Sequence, residues 1–339
     1  MSGSFSSLDQ FPDSGLPEWE KAAIEELKGG NPWEKLSWKK DGLEVKPYLD
    51  ASQTGIHPPP LLNPSDDLFR GPRAWHNMQS VYVKSTSVAN QMALESLREG
   101  ADGICFVVSG EISWEDLLQG IDWSICTLCF ISRSSECSPA TLSDYIRKKY
   151  ASVKLQGAWF STSPETVSGL SSGILFPQLS SPIEELTQGF TTALQIQEVP
   201  HAISLTLETD FFLEMAKLRS ARTVHALLLR HFGQEHPLLL HARSLAWPSP
   251  TYDPHSTMLK HTTSAMAAVM GGCDLLSLEE DPTGGAMTRR IARQVSNLLR
   301  EESHFGRVAD PVAGSYLVED LTRQISSAVW DNLKNLLKR

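Results

Sequence analysis

From Arg73 to the C-terminus, short apolar runs alternate with helix-length segments, and this alternation narrows the possible folds more than anything else in the chain. The strand candidates are Ser80–Val83, Gly103–Val108, Cys126–Ser132, Leu155–Phe160, Gly173–Phe176, Ala202–Glu208, Leu238–Arg243 and Cys273–Leu278. Between and after them lie helix candidates Val88–Glu99, Trp114–Ile121, Ala140–Tyr150, Ile183–Gln195, Phe211–Phe232, Ser256–Met270 and Thr288–Glu302, and Leu321–Leu337 closes the chain. Strict β–α alternation implies parallel strands joined by helical crossovers. Eight units over about 230 residues match a closed (β/α)₈ barrel, the α/β TIM-barrel class. An open doubly wound sheet would place a Gly-rich phosphate turn after its first strand, and none follows Val83. The fifth strand is the least distinct, because Val167–Pro177 is rich in Ser and Gly.

Ahead of the barrel the pattern breaks down. Residues 1–17 read as a disordered lead-in, and 18–72 as an extended arm containing a short amphipathic helix, Leu16–Lys28, and a Pro-rich stretch, Pro47–Pro72. Trp19, Trp33 and Trp38 crowd this arm. They either tether it to its own barrel, residues 73–339, or anchor it to a partner subunit. The net charge of −10 opposes general binding to nucleic acid or anionic membrane. No apolar run reaches the roughly 20 residues of a membrane span, and the polar N-terminus lacks the core of a secretory signal. Five cysteines in 339 residues suit reduced thiols rather than a disulfide framework. The expected location is cytoplasmic, with the mitochondrial matrix left open.

The sixth strand hints at the barrel interior. Ser204, Thr206 and Glu208 share one face, and Ile203, Leu205 and Leu207 the other. The apolar face should meet the helices, which turns the polar face inward. His241 and Arg243 repeat the pattern on the seventh strand. These five residues are the candidate ligand-binding positions. Their alternative role is mutual hydrogen bonding with no ligand. Other motifs fail on context. Cys126 and Cys129 have CxxC spacing within a strand, so their thiols face opposite sides and cannot share a metal. Gly169–Gly173 spells GxSxG, but its strand follows the serine instead of preceding it, so it reads as a loop. His231 and His236 flank a helix end without metal-binding spacing. Glu279, Glu280 and Asp281 sit past the eighth strand, where catalytic groups collect in barrels, although a solvated loop explains them as well. Gly284-Gly285 is a weak phosphate-loop signal.

The C-terminal third resembles a known family. Asp253-Pro-His-Ser-Thr-Met-Leu-Lys260, Ser264–Gly272, Arg289–Arg293, Leu299–Ser303, Arg307–Pro311 and Gly314–Tyr316 are similar to segments of methylmalonyl-CoA mutases. So are Phe211–Arg219, Phe69–Arg73 and Trp19–Leu27. The resemblance spans roughly residues 18–337 and is loose between about 110 and 200. It implies a barrel whose bore admits the pantetheine arm of an acyl-CoA. It also implies radical rearrangement on adenosylcobalamin, which a second domain holds through a DxHxxG loop.

Three departures point to the family's non-catalytic small subunit. The 339 residues contain no DxHxxG cobalamin loop, and His255 is expected to belong to a barrel segment rather than to a cobalt-binding loop. The loop that carries a tyrosine after the Arg-Gly-Pro-Arg motif is missing, because Arg73 runs straight into the first strand. Gly173–Leu179 lacks the histidine that the family places at the end of the fifth strand. Loss of those donors implies a degenerate site with no catalytic residues and no cofactor held by the chain itself. The implied role is support of a catalytic, cobalamin-carrying subunit in a heterodimer. The alternatives are an acyl-CoA-binding catalytic barrel served by a separate cobalamin protein, and a self-associating homodimer.

Overall fold

The computed structural model describes residues 15–51, 62–134, 137–151, 153, 155–196, 198–248, 253, 255–281 and 285–337. Eight parallel strands close into a barrel: β3 (His76–Tyr82), β4 (Gly103–Val108), β5 (Thr127–Ser132), β6 (Ala158–Ser161), β7 (Ser171–Leu175), β8 (Ala202–Leu207), β9 (Leu239–Ser244) and β10 (Leu275–Ser277). They pair in chain order, and β10 closes the ring against β3 through Leu275–His76 and Ser277–Met78. All eight expected strands are present. β3 starts four residues before its expected first residue, Ser80. Two serines of the GxSxG string, Ser171 and Ser172, lie within β7 and pair with Ala158 and Trp159, so they are strand rather than loop.

The crossover helices are α3 (Thr86–Arg98), α4 (Trp114–Leu117), α5 (Pro139–Lys149), α6 (Pro182–Ala193), α7 (Phe211–Phe232), α8 (Ser256–Gly271) and α9 (Gly285–Glu301), and α10 (Tyr316–Leu337) follows. Side-chain chemistry sets their ends. Ser138, Ser181 and Asp210 each accept a backbone N–H of the first turn, and Gly233 ends α7 in the left-handed conformation that glycine adopts freely. α4 is shorter than expected, a single turn ending at Leu117.

Alternation along each strand divides the interior in two. Ile203, Leu205 and Leu207 on β8, Leu240 and Ala242 on β9, and Leu276 on β10 pack outward against α6, α7, α8 and α10. On the other half, Val81, Ile104, Phe106, Val108, Leu128, Phe130 and Trp159 face α3, α4 and α5. Cys126 belongs to this outer layer and Cys129 to the axis, so the two thiols do lie on opposite faces. All five cysteines are reduced and buried.

The axis itself is filled. Met78, Cys105, Val107, Cys129, Ile131, Ala158, Phe160, Ala202 and Leu275 form one buried inner cluster. Phe160 and His241, both with no exposed surface, pack ring against ring at 32° with centroids 5.4 Å apart. Two glycines make this packing possible. A Cβ on Gly173 would meet Phe160 Cδ1 at 2.5 Å, and one on Gly103 would meet the Thr127 carbonyl at 2.2 Å and Met78 Sδ at 2.9 Å. Small residues on β4 and β7 thus leave the space that the large side chains of β3 and β6 occupy.

The arm docks partly on the barrel. α1 (Leu16–Glu26) and α2 (Pro32–Lys35) precede a hairpin of β1 (Trp38–Lys40) and β2 (Leu43–Val45). Asp41 and Gly42 turn the hairpin with positive φ at both positions, the geometry an Asp-Gly pair favours. Leu43 enters the main core at 2% exposure, and Gln324 of α10 exchanges two hydrogen bonds with the Glu44 backbone. α1 buries none of its residues. Residues 1–14, most of the expected lead-in, and 52–61 of the Pro-rich stretch lie outside the described residues.

Two predictions follow from the filled axis. Phe160→Ala should cost about 3–5 kcal/mol and Gly173→Ala about 1–3 kcal/mol, through overpacking. Urea unfolding measures both, and a neutral Gly173→Ala would show that the axis has spare room. Two buried imidazoles also resist protonation. Burial pushes His225 down to about 4. Burial first, and the Arg243 charge second, pushes His241 well below the ordinary value of 6.5. Below that ordinary value the unfolded chain takes up protons that these folded histidines refuse. Stability should therefore be full above pH 6.5 and fall as the pH drops toward 4. His225→Gln and His241→Gln should each flatten that fall, and urea midpoints at neutral and mildly acidic pH would show an unchanged slope if the reading is wrong.

Candidate functional site

Where the strands end, at the C-terminal mouth, the axis opens into a cavity of about 730 Å³. Its floor comes from separate strands: Tyr82 from β3, Thr206 from β8, Arg243 from β9 and Glu279 just past β10. Arg133, one residue beyond β5, stands at the rim. This is the end of the barrel where β–α loops assemble sites.

Four of the five sequence candidates meet there or just below. Arg243 Nε donates to Ser204 Oγ at 3.0 Å and its Nη2 to Thr206 Oγ1 at 3.3 Å. Ser204 Oγ lies 3.2 Å from His241 Nδ1, and His241 Nε2 lies 2.9 Å from Ser277 Oγ. Both ring nitrogens of His241 are thus engaged under the Phe160 ring, which leaves this imidazole no free atom for a ligand. Glu208 does not join the cluster. β8 ends at Leu207, and Glu208 lies beside a buried charge network instead. In that network Lys217 holds Glu185 at 3.2 Å, Glu214 at 2.9 Å and the Thr206 carbonyl at 2.7 Å. The Glu208 backbone bonds to the Glu214 carboxylate. Placing Glu208 on the inner face failed because the strand stops one residue short of it.

Glu279 was open to reading as part of a solvated loop, and the structure corrects this. It is 6% exposed, and its carboxylate accepts the Ser80 hydroxyl at 2.8 Å and the Tyr82 hydroxyl at 3.1 Å. Burial raises its pKa, against the lowering effect of Ser80 and the Arg243 charge. Tyr82 is pushed up to about 12, by burial and then by the adjacent carboxylate. Glu280 pairs with Arg289 at 3.1 Å, and Asp281 is buried. A tyrosine therefore stands at the mouth, though it arises from the end of the first barrel strand rather than from a loop before it. Sequence reading missed Tyr82 and Arg133. The signal was available, since Tyr82 lies near the end and Arg133 just past the end of apolar runs that lead toward the mouth.

A second cavity, about 940 Å³, occupies the opposite end and is lined by His76, Thr127, Gln156, Ser171, His201 and Asp274. It shares no lining residue with the mouth cavity, because the inner cluster and the Phe160–His241 ring pair lie between them. The remaining motifs are structural. His231 rests against Phe232 and Trp330, and His236 stacks on His201 at 3.8 Å. Gly284 lies outside the described residues. Among the described residues no cluster of three His, Cys, Asp or Glu could hold a metal ion, and no helix is long and apolar enough to cross a membrane.

The arm tryptophans divide. Trp19 packs on Trp33 at 5.3 Å and on Tyr48 at 5.2 Å, and Trp33 Nε1 donates to Glu20 at 2.8 Å. These two hold the arm to itself. Trp38 on the hairpin is 36% exposed and borders a small hollow with Phe212 and Leu317.

Comparison with known proteins adds to this geometry. Residues 178–339 match the family described as Methylmalonyl-CoA mutase. The Methylmalonyl-CoA mutase small subunit of Porphyromonas gingivalis is 25% identical over 95% of this chain and 63% of its own length. The small subunit of Streptomyces virginiae is 38% identical over 38% of this chain and 22% of its own length. The Escherichia coli Methylmalonyl-CoA mutase is 32% identical over 43% and 22%. The chain therefore spans less than two thirds of these relatives. Among solved structures, Yersinia pestis dihydropteroate synthase is 13% identical, covers 77% of this chain and 98% of its own, and has a TM-score of 0.35, a likeness too loose to bear on function. Residues 178–339 match the methylmalonyl-CoA mutase family, and over nearly its whole length the chain is similar to a small subunit of that enzyme.

Proposed function

We propose that this chain is a catalytically degenerate barrel that supports a catalytic, adenosylcobalamin-dependent acyl-CoA mutase subunit. The observation that carries the reading is the filled axis. Phe160, Met78 and His241 occupy the route along which the family resemblance would thread a pantetheine arm. A thioester cannot run from one mouth to the other without displacing a fully buried aromatic ring, whose loss costs about 3–5 kcal/mol.

The residues also do not suit a cobalt ligand. His241 has both nitrogens bonded within the barrel, and among the described residues no histidine lines the mouth cavity. When bound in the complex the cofactor would supply the radical chemistry, and this chain would contribute buried interface that stabilises its partner. Trp38 is the arm aromatic best placed for that interface, because it remains exposed while Trp19 and Trp33 pack on one another.

Co-expression with a cobalamin-carrying catalytic subunit of this family tests the reading. A stable one-to-one complex should form, and Trp38→Ala should weaken it about tenfold or more. The isolated chain should not bind methylmalonyl-CoA in a calorimetric titration. Submicromolar binding, with turnover once a separate cobalamin protein is added, would establish the catalytic alternative. A homodimer that ignores the catalytic subunit would establish self-association.

A further inference from the structure

We infer that the C-terminal mouth is a binding site for a short, free dicarboxylate, held between Arg243 on its floor and Arg133 at its rim. The inference does not depend on the supporting role proposed above, and concerns only what this chain's own cavity can hold.

Arg243 is 8% exposed and lines the cavity. An arginine carries five N–H donors. The Arg243 Nε and Nη2 donate to neutral hydroxyls, Ser204 and Thr206. Among the described residues it makes no ion pair, and Glu279 influences it only through space while accepting bonds from Ser80 and Tyr82. A buried guanidinium without a paired anion is costly. The barrel accepts that cost at the floor of an open cavity, where a carboxylate could take the remaining donors as a bidentate partner.

The second cation offers a partner to the ligand's other carboxylate. Arg133 extends from the end of β5 and lies over the Tyr82 ring, with its guanidinium carbon 5.9 Å from the centroid. Its charge reaches both Tyr82 and Glu279, so the two arginines and the tyrosine surround one space. Two guanidinium groups outweigh the single Glu279 carboxylate, which leaves the mouth cationic in a chain of net charge −10. General basicity therefore does not explain the patch. Gln178, Gln188 and Thr192 line the same cavity and offer amides and a hydroxyl to the body of a hydroxylated acid. The volume of about 730 Å³ exceeds the need of a lone inorganic anion. The filled axis below prevents a longer ligand from extending through the barrel.

The test is calorimetric titration and thermal shift of the full chain with malate and glutarate, alongside acetate and inorganic phosphate. Malate should bind and raise the unfolding midpoint, with acetate at least about tenfold weaker because it engages one arginine only. Arg133→Gln, at an exposed position, should weaken malate about tenfold without changing the unliganded midpoint. Arg243→Gln should abolish binding. If that variant does not fold, Arg133→Gln alone decides. Absence of dicarboxylate binding up to about 10 mM, malate binding unchanged by Arg133→Gln, or phosphate binding in preference to both acids would overturn the assignment. None of these outcomes bears on whether the chain pairs with a catalytic subunit, so the two readings fail separately.

Discussion

The structure depends on how the axis of an eight-stranded ring is packed. A ring of this size has an interior just wide enough for side chains to fill. Here Phe160 and His241 pack ring against ring across it, Met78 and Cys129 pack beside them, and Gly103 and Gly173 leave the room. The consequences follow in order. Filling the centre separates two cavities, one at each end. It leaves His241 neutral and fully bonded, and brings Arg243 to the floor of the upper cavity. Any ligand must then sit in a mouth rather than run through the barrel.

Polar groups inside the ring are satisfied in a chain. Ser277, His241, Ser204, Arg243 and Thr206 hand hydrogen bonds from β10 through β9 to β8. Below the mouth, Lys217 ties the Thr206 carbonyl to two carboxylates from α6 and α7. Farther down, Arg73 donates to the Val269, Ala74 and Cys273 carbonyls, and Asp102 joins Arg70 and Arg300, so the base of the barrel is pinned as firmly. Removing one partner from such a network leaves a buried charge uncompensated, which costs more than the pair contributes. Arg243 differs because its hydroxyl partners carry no charge.

Much of this was legible in the sequence, for physical reasons. The period-two pattern of β8 assigned Ser204 and Thr206 inward and Ile203, Leu205 and Leu207 outward, because alternation follows directly from strand geometry. The same rule separated Cys126 from Cys129. What escaped were features that several strands create jointly. Whether the axis is open depends on the fit of Phe160 into the space beside Gly173, and no local pattern records that volume. Tyr82, Arg133 and Glu279 come from three strand ends far apart in the chain, so their convergence appears only once the ring closes. Glu279 looked like a loop residue because its partners, Ser80 and Tyr82, lie almost 200 positions earlier. The Asp41-Gly42 hairpin was hidden in an arm whose composition suggested irregular chain.

The filled axis can be measured without any ligand or partner. Cys105 and Cys129 face it from neighbouring strands, both fully buried, and burial holds the Cys129 thiol up at about 12 and Cys105 well above its ordinary value. Native-state alkylation, followed by mass spectrometry of the peptides carrying each cysteine, reads their access directly. Both should stay unmodified until the chain unfolds, with protection lost in Phe160→Ala. Labelling of either thiol in the folded protein at the rate of an exposed cysteine would mean that the axis is open rather than filled.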